Sequence, residues 1–328
     1  MEVLIKMILR IYDASNYIYA GYYGYRRNVT INRGVREING IWSENSFPAN
    51  GVVFLLKNVF ENEDGNTTHM IVFDRSPTIK RKMYADMTGD AYGYKGNRDS
   101  EPSKVAEIKF QKQLTEACCR KAGLCVQAVE GYEADDVIHT LVGMYKNDYE
   151  HIYIHTKDSD LAYLVDDNVS IAKVGEQGKI INKENYSFTV KTGHNIDYNT
   201  VHLNKLIKGD SADNIPGIGK IWAKYINKYV NLDNVGTFGD LNICRDILRK
   251  VVTDQSEIPN SHRVIPTFNL IVPLTVPLDC IDDFEHEPEW NMIEYYFLNK
   301  FNQEVDKWDC ELLVNEFLEL YNDLDIEL

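Results

Sequence analysis

The sequence has no paired cysteine framework, no long apolar run and no internal repeat. Its six cysteines (Cys118, Cys119, Cys125, Cys244, Cys280 and Cys310) contain no Cys-x-x-Cys motif, which predicts free thiols in a reducing compartment. No apolar stretch approaches the roughly 20 residues that a membrane helix needs. Charged residues interrupt the start, which favours a first strand over a secretory segment. We therefore expect a cytoplasmic protein without a membrane-spanning segment.

The net charge of −15 is unevenly distributed over the 328 residues. Residues 281–328 contain 15 acidic residues and two lysines, whereas residues 75–121 contain 11 Lys or Arg against six acids. Phosphate affinity follows local positive patches rather than the whole-chain sum, so the overall charge does not exclude a nucleic-acid partner. A merely solvated charged face is the alternative interpretation of the basic segment.

Apolar β-branched and aromatic runs predict strands at 7–12, 69–73, 124–129, 151–156, 170–174 and 179–182. Helical patterns lie between them at 14–25, 51–62, 103–122 and 133–146. This alternation predicts an α/β fold with a mostly parallel central sheet covered by helices. Residues 28–50 are a predicted loop, and the basic segment 75–101 is predicted to be mobile. After about residue 200 the pattern becomes helical.

Acidic residues follow three of the predicted strands, namely Asp13, Asp74 and the pair Asp158 and Asp160. Ligands of open α/β sheets bind beyond the carboxyl ends of the strands, so these side chains should meet at one edge. So many carboxylates cannot ionise together unless cations lie between them. Because the ligands are all oxygen, the sequence predicts a site for Mg²⁺ or Mn²⁺.

Three further acids, Glu133, Asp135 and Asp136, stand at the start of a predicted helix. Glu133 and Asp136 are three residues apart and share a face. An acidic bias that complements the helix dipole is the structural alternative. That alternative explains one or two acids but not three beside Asp158 and Asp160, so we favour the metal interpretation.

A glycine-containing segment from Lys205 to Ala223 predicts a helix, an acidic turn with Asp210 and Asp213, a hairpin and a second helix. Gly217 and Gly219 would allow backbone N–H groups to approach closely, and the next helix start would form an anion site. Three lysines recur every four residues on one face of that helix, namely Lys220, Lys224 and Lys228. This pattern suits duplex phosphates contacted without base specificity. For the Gly-x-Gly pair alone, a simple turn is the alternative.

Together these motifs resemble the 5′-nuclease superfamily, which comprises flap endonucleases, the 5′–3′ exonuclease domain of bacterial DNA polymerase I and phage enzymes of the RNase H type. The matching pieces are Asp13–Asn16, Phe73–Asp74, Tyr94–Arg98, Gly131–Asp136, Asp158–Leu161 and Gly209–Ala223, in the family order. The resemblance implies a PIN-like nuclease core at 1–199 with a basic arch region at 75–122. It implies a helix–three-turn–helix subdomain for duplex at 200–262, followed by an acidic C-terminal helical region at 263–328.

The resemblance also implies a two-metal phosphodiesterase. One ion would be held by Asp13, Asp74, Glu133, Asp135 and Asp158, and a second by Asp136, Asp160, Asp210 and Asp213. Catalytic basic residues at the foot of the arch would be Lys95 and Arg98, joined by Arg81. Tyr19 matches a position that stacks a terminal base in some relatives, with a packed core tyrosine as the alternative. Gly217, Gly219, Lys220 and Lys224 would hold duplex, with K⁺ as a further ion there.

The expected function is that of a monomeric, structure-specific 5′ nuclease with flap endonuclease and 5′–3′ exonuclease action. Its substrates would be branched DNA or RNA–DNA hybrids in primer removal, replication or repair. The C-terminal region would offer a contact for replication proteins, and a viral source is consistent with the resemblance. The first alternative is a junction-binding protein that has lost catalysis. A second is a single-strand ribonuclease, which would not account for the Gly209–Ala223 segment.

Overall fold

The computed structural model describes residues 7–32, 50–76, 78–90, 92–96, 102–176, 178–184, 188–189, 195–196, 201–229, 241–283, 288–291 and 293. Arg98, Cys310 and most of the predicted C-terminal helical region lie outside these residues. All structural statements below concern the described residues.

A six-stranded sheet forms the centre of the fold. Its strands are β1 (Ile8–Asp13), β2 (Thr67–Val72), β3 (Cys125–Gln127), β4 (His151–Thr156), β5 (Val169–Lys173) and β6 (Ile180–Ile181). They lie in the order β3-β2-β1-β4-β5-β6, and only β6 runs antiparallel to its neighbour. The predicted mostly parallel α/β architecture is therefore confirmed.

Among the described residues, five helices accompany this sheet. They are α1 (Ala14–Asn32), α2 (Asn50–Glu61), α3 (Ile79–Thr88), α4 (Pro102–Lys121) and α5 (Ala134–Tyr145). Helices α1, α2, α4 and α5 pack on its faces, whereas α3 packs on α9 (Ser261–Ile271). Side chains alternate along β1, so Leu9 and Ile11 join the core against α5, whereas Tyr12 joins the core formed with α1, α2 and α4. Because apolar side chains are buried on both faces, the strands read as continuous apolar runs.

The chain then forms a short hairpin, β7 (Phe188–Thr189) with β8 (Asn195–Ile196), and a mainly helical part. That part contains α6 (Val201–Lys208), β9 (Gly209–Asp210), β10 (Ile215–Pro216), α7 (Lys220–Tyr229), α8 (Leu241–Asp254) and α9 (Ser261–Ile271). Fully buried Trp222 fixes α7, and its Nε1 donates to the Pro259 carbonyl at 2.9 Å. The predicted helix, hairpin and helix after residue 200 are all present.

One prediction about irregular segments was wrong, and a second segment contains an unpredicted helix. Helix α1 continues to Asn32, into the predicted loop, because apolar periodicity marks only a buried face and not the full length of a helix. Helix α3 lies within the segment predicted to be mobile. The Thr78 side chain caps its first turn by accepting from Arg81 N, and Gly89, at φ 77°, ends it.

Two further features bear on the organisation of the chain. The predicted boundary between residues 262 and 263 falls inside α9, which packs on α3, α6 and α8. Among the helices that the structure describes, none has both the length and the apolarity required to cross a membrane.

Candidate functional site

Strand ends bring the first group of acids together. Asp13 is the last residue of β1, and Asp74 and Asp158 each follow a strand that neighbours β1. Asp13 is buried and accepts hydrogen bonds from Thr156 Oγ1 at 3.1 Å and Asn16 N at 3.3 Å. Asp74 accepts from Ser15 Oγ. The Asp-Ala-Ser-Asn motif thus supplies one acid and two side chains that orient acids.

Helix α5 adds the second group of acids at its first turn. The Asp74 Oδ1 atom accepts a hydrogen bond from Ala134 N at 3.0 Å, which ties the end of β2 to the start of this helix. Glu133 precedes the helix and is buried, and Asp135 is partly buried beside it. The start of α5 therefore faces the same sheet edge as Asp13 and Asp74.

Asp136, also on α5, differs from the other acids. Its Oδ1 atom accepts from Leu274 N at 2.7 Å and lies 3.0 Å from Lys80 Nζ, while Oδ2 accepts from Glu133 N at 3.1 Å. The residue is only 1% exposed. Both carboxylate oxygens of Asp136 therefore already have partners inside the protein. A carboxylate that binds a metal ion through water would be expected to keep an oxygen available for that water.

The third group of acids lies around the β9–β10 hairpin. Lys205 Nζ contacts Asp160 and lies 2.6 Å from Asp210 Oδ2. The carbonyl oxygen of Asp213, in the turn between the two strands, accepts a hydrogen bond from Lys95 N at 2.9 Å. One pocket joins this group to α5, and its acidic lining residues are Glu133, Asp135, Asp160, Asp210 and Asp213. The hairpin acids and the helix acids therefore share one cavity.

Burial, followed by mutual repulsion, raises the pKa of three of these carboxyl groups. Burial, the charge of Asp74 and the charge of Asp158 raise the pKa of Asp13 to about 7. Burial and the charges of Asp158, Asp13 and Asp160 hold the pKa of Asp135 well above its usual value. Burial and Asp158 raise the pKa of Asp160 to about 6. The acids are therefore close enough to oppose one another's ionisation.

Lysines oppose this effect at three other acids. Burial alone would raise the pKa of Asp74, but Lys112 and the Ser15 hydroxyl outweigh it and hold that pKa below its usual value. In the same way, Lys95 and Lys80 lower the pKa of Glu133. Burial of Asp210 is likewise outweighed by Lys205, which lowers its pKa. These carboxylates are ionised in the metal-free protein.

Four lysine amino groups thus lie among the acids, and the sequence predicted only Lys95. The others are Lys80 on α3, Lys112 on α4 (3.1 Å from Asp74 Oδ2) and Lys205 on α6. Lys80 is 4% exposed, and its pKa is raised because the charges of Asp136 and Glu133 outweigh burial. Of these three lysines, the sequence could have indicated only Lys205, because it stands in the same sequence segment as Asp210.

Within the described part of the chain, no three His, Cys, Asp or Glu side chains are already arranged to hold an ion. The donors nevertheless fit a hard divalent cation, because they are all carboxylate oxygens. In addition, Asp13 and Asp135 lie close to other acids, and neither has a lysine partner in any described ion pair. Oxygen-only donor sets favour Mg²⁺ and Mn²⁺. Binding would require the carboxylates to replace lysine contacts with metal contacts.

The structure separates the predicted basic residues. Lys95, at φ 57°, places Nζ 2.7 Å from Glu133 Oε1 and 3.8 Å from Asp213 Oδ2. Its neighbour Tyr94 is buried and donates its hydroxyl to both Glu133 oxygens at 3.1 Å. Arg81 is exposed, and the adjacent Lys80 faces the acids instead. Helix geometry turns successive residues to different faces, so Arg81 does not share the position of Lys80 among the acids, and its phosphate contact stays a prediction.

Tyr19 lies at the surface rather than in the core. It is 40% exposed, and its ring is nearly parallel to that of Tyr23, with centroids 6.4 Å apart. The Nζ atom of Lys104 is 5.4 Å from the Tyr23 centroid. The packed-core alternative is therefore excluded, and base stacking stays a prediction.

The glycines of the hairpin region serve close backbone packing. A Cβ at Gly217 would lie 2.5 Å from the Ile207 carbonyl oxygen, and Gly219 adopts φ 93°. The N–H of Gly219 donates to the Ile207 carbonyl at 3.2 Å, and that of Ile218 donates to Leu206 at 3.0 Å. These two donors bind the loop to α6, and an anion site at the start of α7 stays a prediction.

Lys220 and Lys224 lie on the exposed side of α7, one turn apart. The opposite side carries Trp222 and Ile226, which are fully buried. The helix therefore presents a basic face to solvent beside the β9–β10 hairpin, as the lysine spacing predicted.

Comparison with known proteins places this site in a family. Residues 8–192 match the family described as 5′-3′ exonuclease, N-terminal resolvase-like domain. The 5′-3′ exonuclease of Buchnera aphidicola (subsp. Acyrthosiphon pisum) is 27% identical over 279 residues, covering 82% of this chain and 87% of that protein. The 5′-3′ exonuclease of Aquifex aeolicus is 25% identical over 321 residues, 94% of each chain.

A longer enzyme and a solved structure add to these matches. DNA polymerase I of Caldicellulosiruptor bescii is 26% identical over 263 residues, which are 77% of this chain but 29% of the polymerase. The structure of T5 5′-exonuclease with divalent zinc ions bound shares the fold, with a TM-score of 0.51, 17% identity, and coverage of 95% of this chain and 99% of that one. The family match spans more than half of the chain and includes the strand-end acids, so the chain belongs to the 5′–3′ exonuclease family within the 5′-nuclease superfamily.

Proposed function

We propose that this chain is a structure-specific 5′ nuclease that hydrolyses phosphodiesters of flapped and branched DNA with two divalent ions. Membership of the family makes it a 5′ nuclease and hence a hydrolase of phosphodiester bonds. The observation that carries the proposal is the convergence of acids from β1, β2, β4, α5 and the β9–β10 hairpin, several with raised pKa values. An inactive junction-binding protein would not need so many opposed carboxylates.

The acids divide into two sets for the two ions. Asp13, Asp74, Glu133, Asp135 and Asp158 would hold the first ion, and Asp160, Asp210 and Asp213 the second. When bound, paired Mg²⁺ ions, or Mn²⁺ in their place, supply a nucleophile near neutral pH and stabilise charge on the attacking and leaving oxygens. Asp136, also predicted for the second ion, is reassigned below.

The chain's own cations would act on the phosphate. Lys95 lies between the two acid groups, near Glu133 and Asp213, where its ammonium would attract the scissile phosphate. Arg98 would extend this positive region, although it lies outside the described residues. Lys80, Lys112 and Lys205 hold the acids in the metal-free protein and would offer further positive charge once released.

Duplex DNA would lie along α7. Lys220 and Lys224 would contact backbone phosphates, Gly217 and Gly219 would shape the loop beneath them, and K⁺ would be a further ion there. Tyr19 would stack a base of the substrate. An RNA 5′ end, primer removal in replication or repair, a monomeric state and contacts of the C-terminal region with replication proteins belong to the same proposal. The division into 1–199, 200–262 and 263–328 also stays a proposal.

A labelled 5′-flap duplex tests the function directly. We expect cleavage with Mg²⁺, and none with EDTA or in Asp158→Asn, because this aspartate stands among the acids of the first ion. A matched control is Asp86→Asn, which removes an exposed acid of α3. Equal cleavage under all conditions would contradict the proposal. Parallel substrates with DNA or RNA 5′ ends, read by product length, rank the substrates and separate endonuclease from exonuclease products.

A further inference from the structure

After α9 the chain crosses helix α5 in a stretch without regular structure up to Pro277, followed by a 3-10 turn at Leu278–Cys280. We call residues 272–283 the strap. Within it Val272 and Val276 are buried. Leu274 N donates to Asp136 Oδ1 at 2.7 Å, and Val276 N donates to Thr140 Oγ1 at 2.9 Å. Alternate N–H groups of the strap therefore bind side chains one turn apart on α5.

The far end of the strap is fixed to the sheet. The Gln127 side chain, on edge strand β3, donates through Nε2 to the Asp282 carbonyl at 2.7 Å and accepts from Asp282 N at 3.0 Å. Gln127 is fully buried. The strap thus links α5 to the edge of the sheet through three polar side chains.

The strap also borders the acidic pocket. Pro273, together with Leu270 and Ile271 at the end of α9, lines the pocket that contains Glu133 and Asp135. Leu274, the next residue after Pro273, donates its N–H to Asp136 on the same helix as Asp135. The same continuous segment therefore forms part of the pocket wall and contacts the helix that carries acids of the pocket.

We propose that the strap positions the acids of α5 and that Asp136 is a positioning residue rather than a metal ligand; the kinetic part of this proposal rests on the proposed nuclease function. One carboxylate holds the strap through Leu274 N and the start of α5 through Glu133 N. It also binds Lys80 at 3.0 Å. Loss of the strap contact would leave the buried Oδ1 atom of Asp136 with one donor fewer and loosen the carboxylate whose other oxygen holds the helix start that presents Glu133 and Asp135.

Proline substitutions separate the strap contact from the acids. Leu274→Pro removes the donating N–H and leaves every carboxylate in place. Thr275→Pro is the matched control, because Thr275 is exposed and its N–H takes part in none of the hydrogen bonds described for the strap. We expect Mn²⁺ binding to full-length Leu274→Pro, measured calorimetrically without DNA, to weaken about tenfold, as for groups that orient metal ligands.

Kinetics on the flap substrate add a measurement that a purely structural contact would not change. At a temperature well below melting, Leu274→Pro should lower kcat about tenfold with KM unchanged, because acids are misplaced but the DNA surface is intact. Thr275→Pro should match the wild type in both measurements. If the wild type itself fails to cleave, the nuclease proposal fails, while Mn²⁺ affinity still tests the strap.

A double-mutant cycle tests Asp136 itself. If Asp136 acts through the strap, Asp136→Ala and Leu274→Pro should be strongly non-additive in Mn²⁺ affinity. Additive effects, or wild-type Mn²⁺ affinity in Leu274→Pro, would overturn the proposal. If Leu274→Pro does not fold, Thr140→Val removes the second strap contact with a side chain of similar shape. We expect weaker Mn²⁺ binding in this variant as well, and unchanged affinity would again overturn the proposal.

Discussion

The middle and the carboxyl end of the same three strands bury polar groups in opposite ways. Ahead of the terminal acids, at positions that we call the strand middles (Arg10 and Tyr12 of β1, His69 of β2 and His155 of β4), aromatic hydroxyls and histidines bind one another, with Tyr17 of α1 as a further partner. Tyr12 Oη lies 3.1 Å from His69 Nδ1, and Tyr17 Oη lies 3.1 Å from His155 Nδ1. Arg10 Nη1 donates to His155 Nε2 at 3.2 Å. Burial lowers the pKa of His69 to about 4 and that of His155 well below its usual value, so both rings are neutral at pH 7.

At the strand ends the buried groups are carboxyls that oppose one another. Lysines lower the pKa of Asp74 and Asp210, but burial and repulsion raise the pKa of Asp13 and Asp135. Neutral rings complete their hydrogen bonds within the protein, whereas clustered acids are relieved only by cations. The polar groups of the strand middles are therefore satisfied within the protein, whereas those of the strand ends gain most from a bound metal.

The largest expected effect concerns Asp135, which has no lysine partner among the described ion pairs. Asp135→Asn should lower flap cleavage on the order of 10³-fold, because about 4 kcal/mol of metal-dependent charge stabilisation is lost. The same variant should melt at a higher temperature than the wild type in EDTA, since one opposed charge is gone. Single-turnover rates and thermal melts measure both effects. A less stable, fully active variant would contradict the contrast between strand ends and middles.

Saturating Mg²⁺ should stabilise the wild type by preferential binding to the native state. At a concentration of 100 times Kd the gain is about 2.7 kcal/mol, a rise of several degrees in Tm. The shift should be much smaller in Asp135→Asn and should persist in His69→Gln, whose substitution lies in the strand middle. An equal shift in both variants would show that the ion binds elsewhere.

The strand middle should make the protein sensitive to acid. The pKa of His69 falls from 6.5 unfolded to about 4 folded, so the unfolded chain binds more protons between these values. Stability is therefore lost as pH falls from 6.5 towards 4, by roughly 2 kcal/mol between pH 7.5 and 5. Urea titrations in Mg²⁺ should show a shallower pH slope for His69→Gln. Exposed His262→Gln is the control and should keep the wild-type slope.

The smallest expected effect concerns a lysine at the strand ends. Lys205→Gln removes the partner of Asp160 and Asp210 and should cost about 1 kcal/mol in EDTA, because the pair is partly exposed and solvent screens it. The loss should shrink in Mg²⁺, since metal ions replace the missing charge. Lys146→Gln, which breaks the more exposed pair with Asp166, should change little in either condition. A deficit that is independent of Mg²⁺ would place Lys205 outside the metal-responsive region.

Sequence patterns predicted the strands and their terminal acids because both signals are local. Asp13 and Asp158 stand directly after apolar runs, and chain connectivity then dictates that they emerge at the same sheet edge. Lys80 and Lys112 could not be found in this way, because each lies on a helix whose rotation about the sheet decides which lysine faces inward. Arg81 was chosen over Lys80 for that reason.

The strap was also beyond local patterns, since Asp136 and Leu274 are far apart in the chain and the hydrogen bond uses a main-chain donor that any residue other than proline supplies. Local patterns were sufficient to predict the parallel sheet, the strand-end acids and the hairpin, because apolar periodicity, glycine and charge type act within a few residues. The pairing of acids with lysines, the opposition among acids and the contact of Asp136 with the strap emerge only in the folded chain, because they depend on distances across elements that composition does not encode.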